Sequence, residues 1–155
     1  ESGVASGMSE TSRKAPRPRL SSAGFKRTRS DHQTELAEDY VELIDDLIQE
    51  RGEARAVDIA QRLGVSHVTV SKTISRLIDA GLVNSQPYRS IFLTDAGRAM
   101  AGQSRERHTI VMDFLLALGV EPDVAALDAE GIEHHVSDAT LAAMQNFNRR
   151  QRRGL

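Results

Sequence analysis

From position 36 onward the apolar residues fall into short runs whose spacing changes from helical to strand-like and back to helical. Leu36, Tyr40, Leu43, Leu47 and Ile48 recur three and four apart, which predicts an amphipathic helix starting near Thr34 and ending near Arg51-Gly52. A second, short helix is predicted over 56–63, with Val57, Ile59, Ala60 and Leu63 apolar. Gly64-Val65 then makes a tight turn, and Ser66 suits the N-cap of a third helix running to Gly81 with Val68, Val70, Ile74, Leu77 and Ile78 apolar. Two short β-prone segments, 82–84 and 91–93, flank Ser85-Gln86-Pro87-Tyr88-Arg89-Ser90 and predict a small hairpin. Thr94 can cap a long helix through about Leu118, which Gly119 ends. Pro122 opens a further helix, and Ser137 caps a last one carrying Leu141, Met144 and Phe147. The chain is therefore expected to be mainly α.

Helix, glycine-containing turn, helix and hairpin is the order of a winged helix-turn-helix. The polar side of the third predicted helix suits that role. Ser66, His67, Thr69, Ser71, Lys72 and Arg76 can all donate hydrogen bonds, and Lys72 and Arg76 stand one turn apart. In a major groove, short hydroxyls allow close approach, while the cations neutralise phosphate or read guanine. Arg89, at the hairpin tip, can reach a phosphate or the minor groove. The competing reading is an amphipathic helix with an ordinary polar face, or a helix pair that binds RNA or protein.

Charge adds a second theme. The 155 residues are 39% hydrophobic and 27% charged with a net charge of −2, but the charges are segregated. Residues 13–29 contain seven Lys or Arg and no acid, and Arg149, Arg150, Arg152 and Arg153 close the chain. Acids gather over 31–58 and 121–138. Basic ends around an acidic centre suggest a polyanion held at the edges and a cation in the middle, against the simpler alternative that both ends merely solubilise. Residues 1–7 before Met8 read as a tag remnant, and the Ser/Arg/Pro-rich stretch to about Ser30 is expected to be disordered. No apolar run approaches the ~18 residues of a membrane span. Without cysteine there are no disulfides, thiolate ligands or cysteine nucleophile, and a cytoplasmic location is the expectation.

The run Asp128-Ala129-Glu130-Gly131-Ile132-Glu133-His134-His135 carries the candidate chemistry. On a helix, Glu130, Glu133 and His134 share one face. Asp39 and Glu42, three apart on the first predicted helix, can both face one point, and His108 stands in the middle of the long one. If the three helices converge, four carboxylates and two imidazoles meet, a charge that two divalent ions would offset. Otherwise these residues are solvated faces, since Glu35, Glu38, Asp45 and Asp46 surround Asp39 and Glu42, and His108 is a surface or packing histidine.

The stretch from Arg107-His108 through Phe114-Leu115 and Leu118-Gly119-Val120 to the Glu-Gly-Ile-Glu-His-His run, together with Glu38-Asp39-Tyr40-Val41-Glu42 and Asp58-Ile59-Ala60, resembles the DtxR family of iron- and manganese-dependent repressors, and most closely its manganese-sensing MntR branch. The resemblance extends to about residue 147. It implies a homodimer, each subunit joining a winged helix domain to a helical metal-binding and dimerisation domain. It assigns metal contacts to Asp39, Glu42, His108, Glu130, Glu133 and His134, with Glu133 shared between two ions. Iron-sensing relatives place methionine where this chain has Asp39 and cysteine where it has Glu130; harder oxygen donors favour Mn²⁺ and still admit Fe²⁺. The domain organisation implied is a tag remnant and disordered basic arm over 1–33, a winged helix domain over 34–94, the metal-binding and dimerisation domain over 95–148, and a basic tail over 149–155.

The function expected is a metal-activated repressor of manganese-uptake genes that binds double-stranded operator DNA. An iron-responsive or dual regulator of the same family is the alternative. Paired carboxylates with histidine also build two-metal hydrolases, but here every candidate carboxylate is used as a ligand and no separate nucleophile or phosphate loop stands out, so no enzyme is expected. A winged helix regulator answering an organic effector would bind DNA indifferently to a chelator.

Overall fold

Helix α1 (Ser22–Arg51) frames both halves of the molecule in the computed structural model, which describes residues 22–86 and 90–154. It begins well before Thr34, so the part of the expected disordered arm from Ser22 onward is helical. Straight-chain residues such as Lys26, Gln33 and Glu35 favour a helix there. Residues 29–34 are all exposed, so that stretch carries no buried stripe for apolar spacing to reveal. The remainder of the expected tag and arm, residues 1–21, lies outside the described residues.

The stripe that α1 buries is Tyr40, Val41, Ile44 and Leu47. Leu43 and Ile48 are only partly buried, and Leu36 is exposed. These side chains pack with Ile59 of α2 (Ala56–Leu63), with Val70, Ile74 and Leu77 of α3 (His67–Asp79), and with Val83, Ile91 and Leu93. Burying each such aliphatic side chain contributes roughly 1.5–3 kcal/mol. Gly64 closes α2 at φ 65°, a left-handed conformation that glycine adopts without steric cost. Ser66 then caps α3, its hydroxyl accepting from the Thr69 N–H at 3.1 Å. Val57, Val68 and Ile78, expected on apolar faces, are exposed.

The wing is a two-stranded antiparallel hairpin of β1 (Val83–Ser85) and β2 (Ile91–Leu93), in register Val83↔Leu93. The Ile91 N–H donates to the Ala54 carbonyl at 2.8 Å, tying the hairpin to the segment between α1 and α2. Thr94 caps α4 (Asp95–Ala117) by accepting from the Gly97 N–H at 3.1 Å, and its hydroxyl donates to the Gly81 carbonyl at 2.6 Å.

Helix α4 runs from the wing into the second half, packing on α1, on α5 (Pro122–Ile132) and on α6 (Asp138–Arg152). Ile110, Val111, Ala125 and Ala129 are buried there, and Phe114 meets Phe147 edge to face at 5.4 Å. The expected basic tail is helical as far as Arg152, where cations complement the negative end of the helix dipole. No helix of the described residues is long and apolar enough to cross a membrane.

Candidate metal centre and nucleic-acid interface

Glu35, Glu38, Asp39 and Glu42 form a carboxylate stripe along α1, at spacings that place them on one face. That face is not simply solvated. The buried Ser104 hydroxyl of α4 donates to Glu42 Oε2 at 3.0 Å. One turn further along α1, Asp45 and Asp46 both pair with Arg105 of α4. Helices α1 and α4 are thus fastened by polar contacts beside their apolar packing.

The other half of the site sits at the end of α5. The helix runs to Ile132, and Glu133, three residues after Glu130, continues its right-handed helical backbone before the turn that carries His134. Glu133 is the C-cap residue, its N–H donating to the Ala129 carbonyl at 3.0 Å, and His134 follows in a turn. Arg107 of α4 holds this turn. Its Nε donates to the Glu133 carbonyl at 3.0 Å and its Nη2 to the Val136 carbonyl at 2.9 Å. A guanidinium is suited to such carbonyls because its donors are fixed in a plane and it sits at the negative end of a helix.

Glu133 and His134 point inward. The Glu133 side chain is 5% exposed and the His134 side chain 3%. Glu133 Oε2 lies 2.7 Å from His108 Nδ1, and Glu133 Oε1 lies 3.5 Å from His134 Nε2. The same His134 Nε2 is 3.2 Å from Asp39 Oδ1, while its Nδ1 is 2.6 Å from Glu38 Oε2. Two imidazoles therefore bracket one buried carboxylate, and one of them reaches across to α1.

The electrostatics express crowding. Burial pushes the Glu133 carboxyl above the usual range and nearby Glu42 adds to the effect, against the opposing pull of His108 and His134. Burial likewise raises Glu42, with Asp46 and Asp39 adding to it and Ser104 and Arg105 opposing it. His134 is pushed up to about 10, first by its hydrogen bond to Asp39 and then by that to Glu38. His134 thus favours its charged form beside Asp39, Glu38 and Glu133, while His108 opposes the rise of Glu133 and Arg105 that of Glu42. A donor set of imidazole nitrogen and carboxylate oxygen, clustered and partly buried, fits a divalent metal of intermediate hardness.

Of the expected ligands, the structure joins Asp39, His108, Glu133 and His134 by direct contacts, and Glu42 stands close enough to act on Glu133 electrostatically. Glu130 is exposed in the last turn of α5, and no ion pair or side-chain hydrogen bond joins it to the other five among the described residues. Sequence reasoning passed over Glu38 and Arg107. Glu38 reads as one more acid in a charged helix, and Arg107 as a solubilising neighbour of His108; only the packing of α1 and the α5 turn against α4 gives them partners.

In the winged domain, Ser66 at the N-cap and His67, Thr69, Ser71, Lys72 and Arg76 along α3 are all exposed. The Ser66 and Thr69 hydroxyls lie 2.9 Å apart in the cap, so both also shape the N-terminus of the helix. Arg89 lies outside the described residues. Val68, expected as core, is 63% exposed among these polar side chains and is a further candidate for base contact.

A winged helix-turn-helix joined to a helical domain through a partly buried cluster of carboxylates and histidines is the arrangement of a metal-dependent DNA-binding repressor. Residues 32–91 match the iron dependent repressor N-terminal DNA binding domain, and residues 94–153 match the iron dependent repressor metal binding and dimerisation domain. The chain belongs to this family. It is similar to the transcriptional regulator MntR of Escherichia coli O157:H7, 55% identical over 127 residues, 82% of each chain. Against the MntR of Salmonella typhi it is 56% identical over 124 residues, 80% of this chain and 79% of that one. A solved manganese-dependent transcriptional repressor in complex with manganese is 34% identical, with a TM-score of 0.64, over 72% of this chain and 52% of that one. The chain spans about half the length of such solved repressors.

Proposed function

We propose that this chain is a manganese-responsive repressor of metal-uptake genes, acting in the cytoplasm as a homodimer on double-stranded operator DNA and catalysing no reaction. The observation that carries the reading is the contact of His134, on the turn after α5, with Glu38 and Asp39 on the helix that enters the DNA-binding half. Asp39, Glu42, His108, Glu133 and His134 would hold the metal, with Glu130 completing the set from the end of α5. The two oxygens of Glu133 face different imidazoles, which supports a carboxylate shared between two ions per subunit. Oxygen-rich ligation favours Mn²⁺ and admits Fe²⁺.

A divalent ion held by these residues would supply positive charge to the crowded carboxylates; Glu38, hydrogen-bonded to His134 Nδ1, would fix the ring orientation and leave Nε2 as the donor atom. Asp39 and Glu42 are held against the second half, so α1 loses freedom relative to α4. In a dimer this restricts the spacing of the two α3 helices, and operators are read at half-sites about 34–36 Å apart or a multiple of this. Leu116, Leu118, Val124 and Leu127, all exposed around the α4–α5 elbow, supply an apolar surface for the second copy.

On DNA, Ser66, His67, Thr69, Ser71, Lys72 and Arg76 meet base edges and phosphates in the major groove, and Arg89 reaches a phosphate or the minor groove. Val68 suits a thymine methyl. Footprinting on promoters of metal-transport genes tests the reading. Protection with Mn²⁺ that disappears with EDTA is expected; protection indifferent to the chelator would overturn it.

A further inference from the structure

Glu35, the first carboxylate of the α1 stripe, faces a second pair of imidazoles. His135 Nε2 lies 3.2 Å from Glu35 Oε2, and His32 Nδ1 lies 4.0 Å from the same oxygen. The rings of His32 and His135 stand edge to face with centroids 6.4 Å apart. One helical neighbour and one residue from a distant turn thus converge on a single carboxylate oxygen.

The arrangement follows from the turn after α5. The His135 N–H donates to the Ile132 carbonyl at 3.0 Å, and the two adjacent histidines then diverge. The His134 side chain is buried against Glu38 and Asp39, whereas the His135 side chain is half exposed and meets Glu35. Neither His32 nor His135 is among the buried core residues, and exposed pairs of this kind stabilise a fold by only about 0–1 kcal/mol. What they do present is two imidazoles and one carboxylate, with the His32 and His135 side chains 67% and 50% exposed. Glu35 also stands next to the inner site, since one ligand atom each from Glu35, Asp39 and His134 lie within 4.8 Å of one another.

We propose that His32, Glu35 and His135 form an additional divalent-cation position in each chain, sharing no ligand with the inner set. Two imidazoles with a single carboxylate make a softer donor set than the inner carboxylates. It takes borderline cations such as Co²⁺, Ni²⁺ or Zn²⁺ in preference to Mn²⁺, following the general order of divalent affinities. Its occupancy ties the N-terminal part of α1 to the α5 turn. The outer position therefore answers to metals other than the one read by the inner site.

Cobalt(II) is the probe, followed by visible d–d absorption and calorimetric stoichiometry on the full chain at neutral pH. The expected result is one more Co²⁺ per chain in the unsubstituted protein than in a His32→Ala/His135→Ala variant, and the same loss in Glu35→Gln. Both histidines are exposed, so folding survives; circular dichroism verifies it. Glu133→Gln, which disables the inner site, should keep the outer Co²⁺ band. Equal stoichiometry and identical spectra with and without His32 and His135 would overturn the proposal. Failure of the manganese-repressor reading would appear elsewhere, as operator binding that ignores Mn²⁺ while the cobalt difference persists.

Discussion

His134 Nδ1 lies 2.6 Å from Glu38 Oε2, a contact that bridges the turn after α5 and the helix leading into the winged domain. It makes one side chain the meeting point of the two halves. The same ring presents Nε2 to Asp39 and Glu133, so whatever neutralises these carboxylates also sets how firmly α1 is held.

Metal binding should displace a proton from His134. In the metal-free protein this ring titrates at about 10, against an ordinary value near 6.5. Apparent Mn²⁺ affinity should therefore rise with pH from 5 through 9, with about one proton released per chain from this ring. Calorimetry in buffers of different ionisation enthalpy measures it. Affinity independent of pH would remove His134 from the ligand set.

The same titration bears on stability. A histidine whose folded value is raised contributes stability that is fully present below its unfolded value near 6.5 and is lost as pH rises through about 10. Metal-free protein should melt at progressively lower temperature over that window. Mn²⁺-loaded protein should be flatter over the same range, because the imidazolium is no longer the bridging charge.

Arg107→Ala should weaken metal binding with the fold intact. Its guanidinium touches no carboxylate of the site but holds the carbonyls of Glu133 and Val136. Loss of such an outer support typically costs about 10–100-fold in metal affinity. Competition against a chromophoric chelator, with helicity checked by circular dichroism, distinguishes this from unfolding.

Gly97→Ala should destabilise the junction of wing and α4. A Cβ there would lie 2.1 Å from the Leu82 backbone carbonyl oxygen, so backbone must move. Overpacking of this kind costs about 1–3 kcal/mol, which urea unfolding would read as a lower midpoint. An unchanged midpoint would mean that the junction yields freely.

Much of this architecture is legible in sequence because its signals are local. Ser66, Thr94 and Ser137 are hydroxyl caps, Gly64 and Pro122 mark a helix end and a helix start, and the predicted helices over 56–63 and from Pro122 follow from them. The acid- and histidine-rich run over 128–135 is equally visible. What spacing could not show is long-range pairing. Glu38 looks like any helix acid until His134 arrives from the far end of the chain, and Arg107 gains its role only when the α5 turn folds onto α4. The early start of α1 is invisible to apolar periodicity because residues 29–34 are all exposed. The helical spacing of Glu130 and Glu133 is visible, but the turn that begins at His134, and the difference between exposed Glu130 and buried Glu133, depend on how the end of α5 packs.

The central claim is that metal held between α1 and the α5 turn controls operator affinity. The direct measurement is fluorescence anisotropy of labelled operator DNA titrated with the protein, with and without Mn²⁺, for the unsubstituted chain and for Glu133→Gln. The account predicts that Mn²⁺ tightens binding of the unsubstituted chain by about 5–150-fold, the usual range of such couplings, and leaves Glu133→Gln at the metal-free affinity. Equal affinity with and without Mn²⁺ in the unsubstituted chain would contradict it.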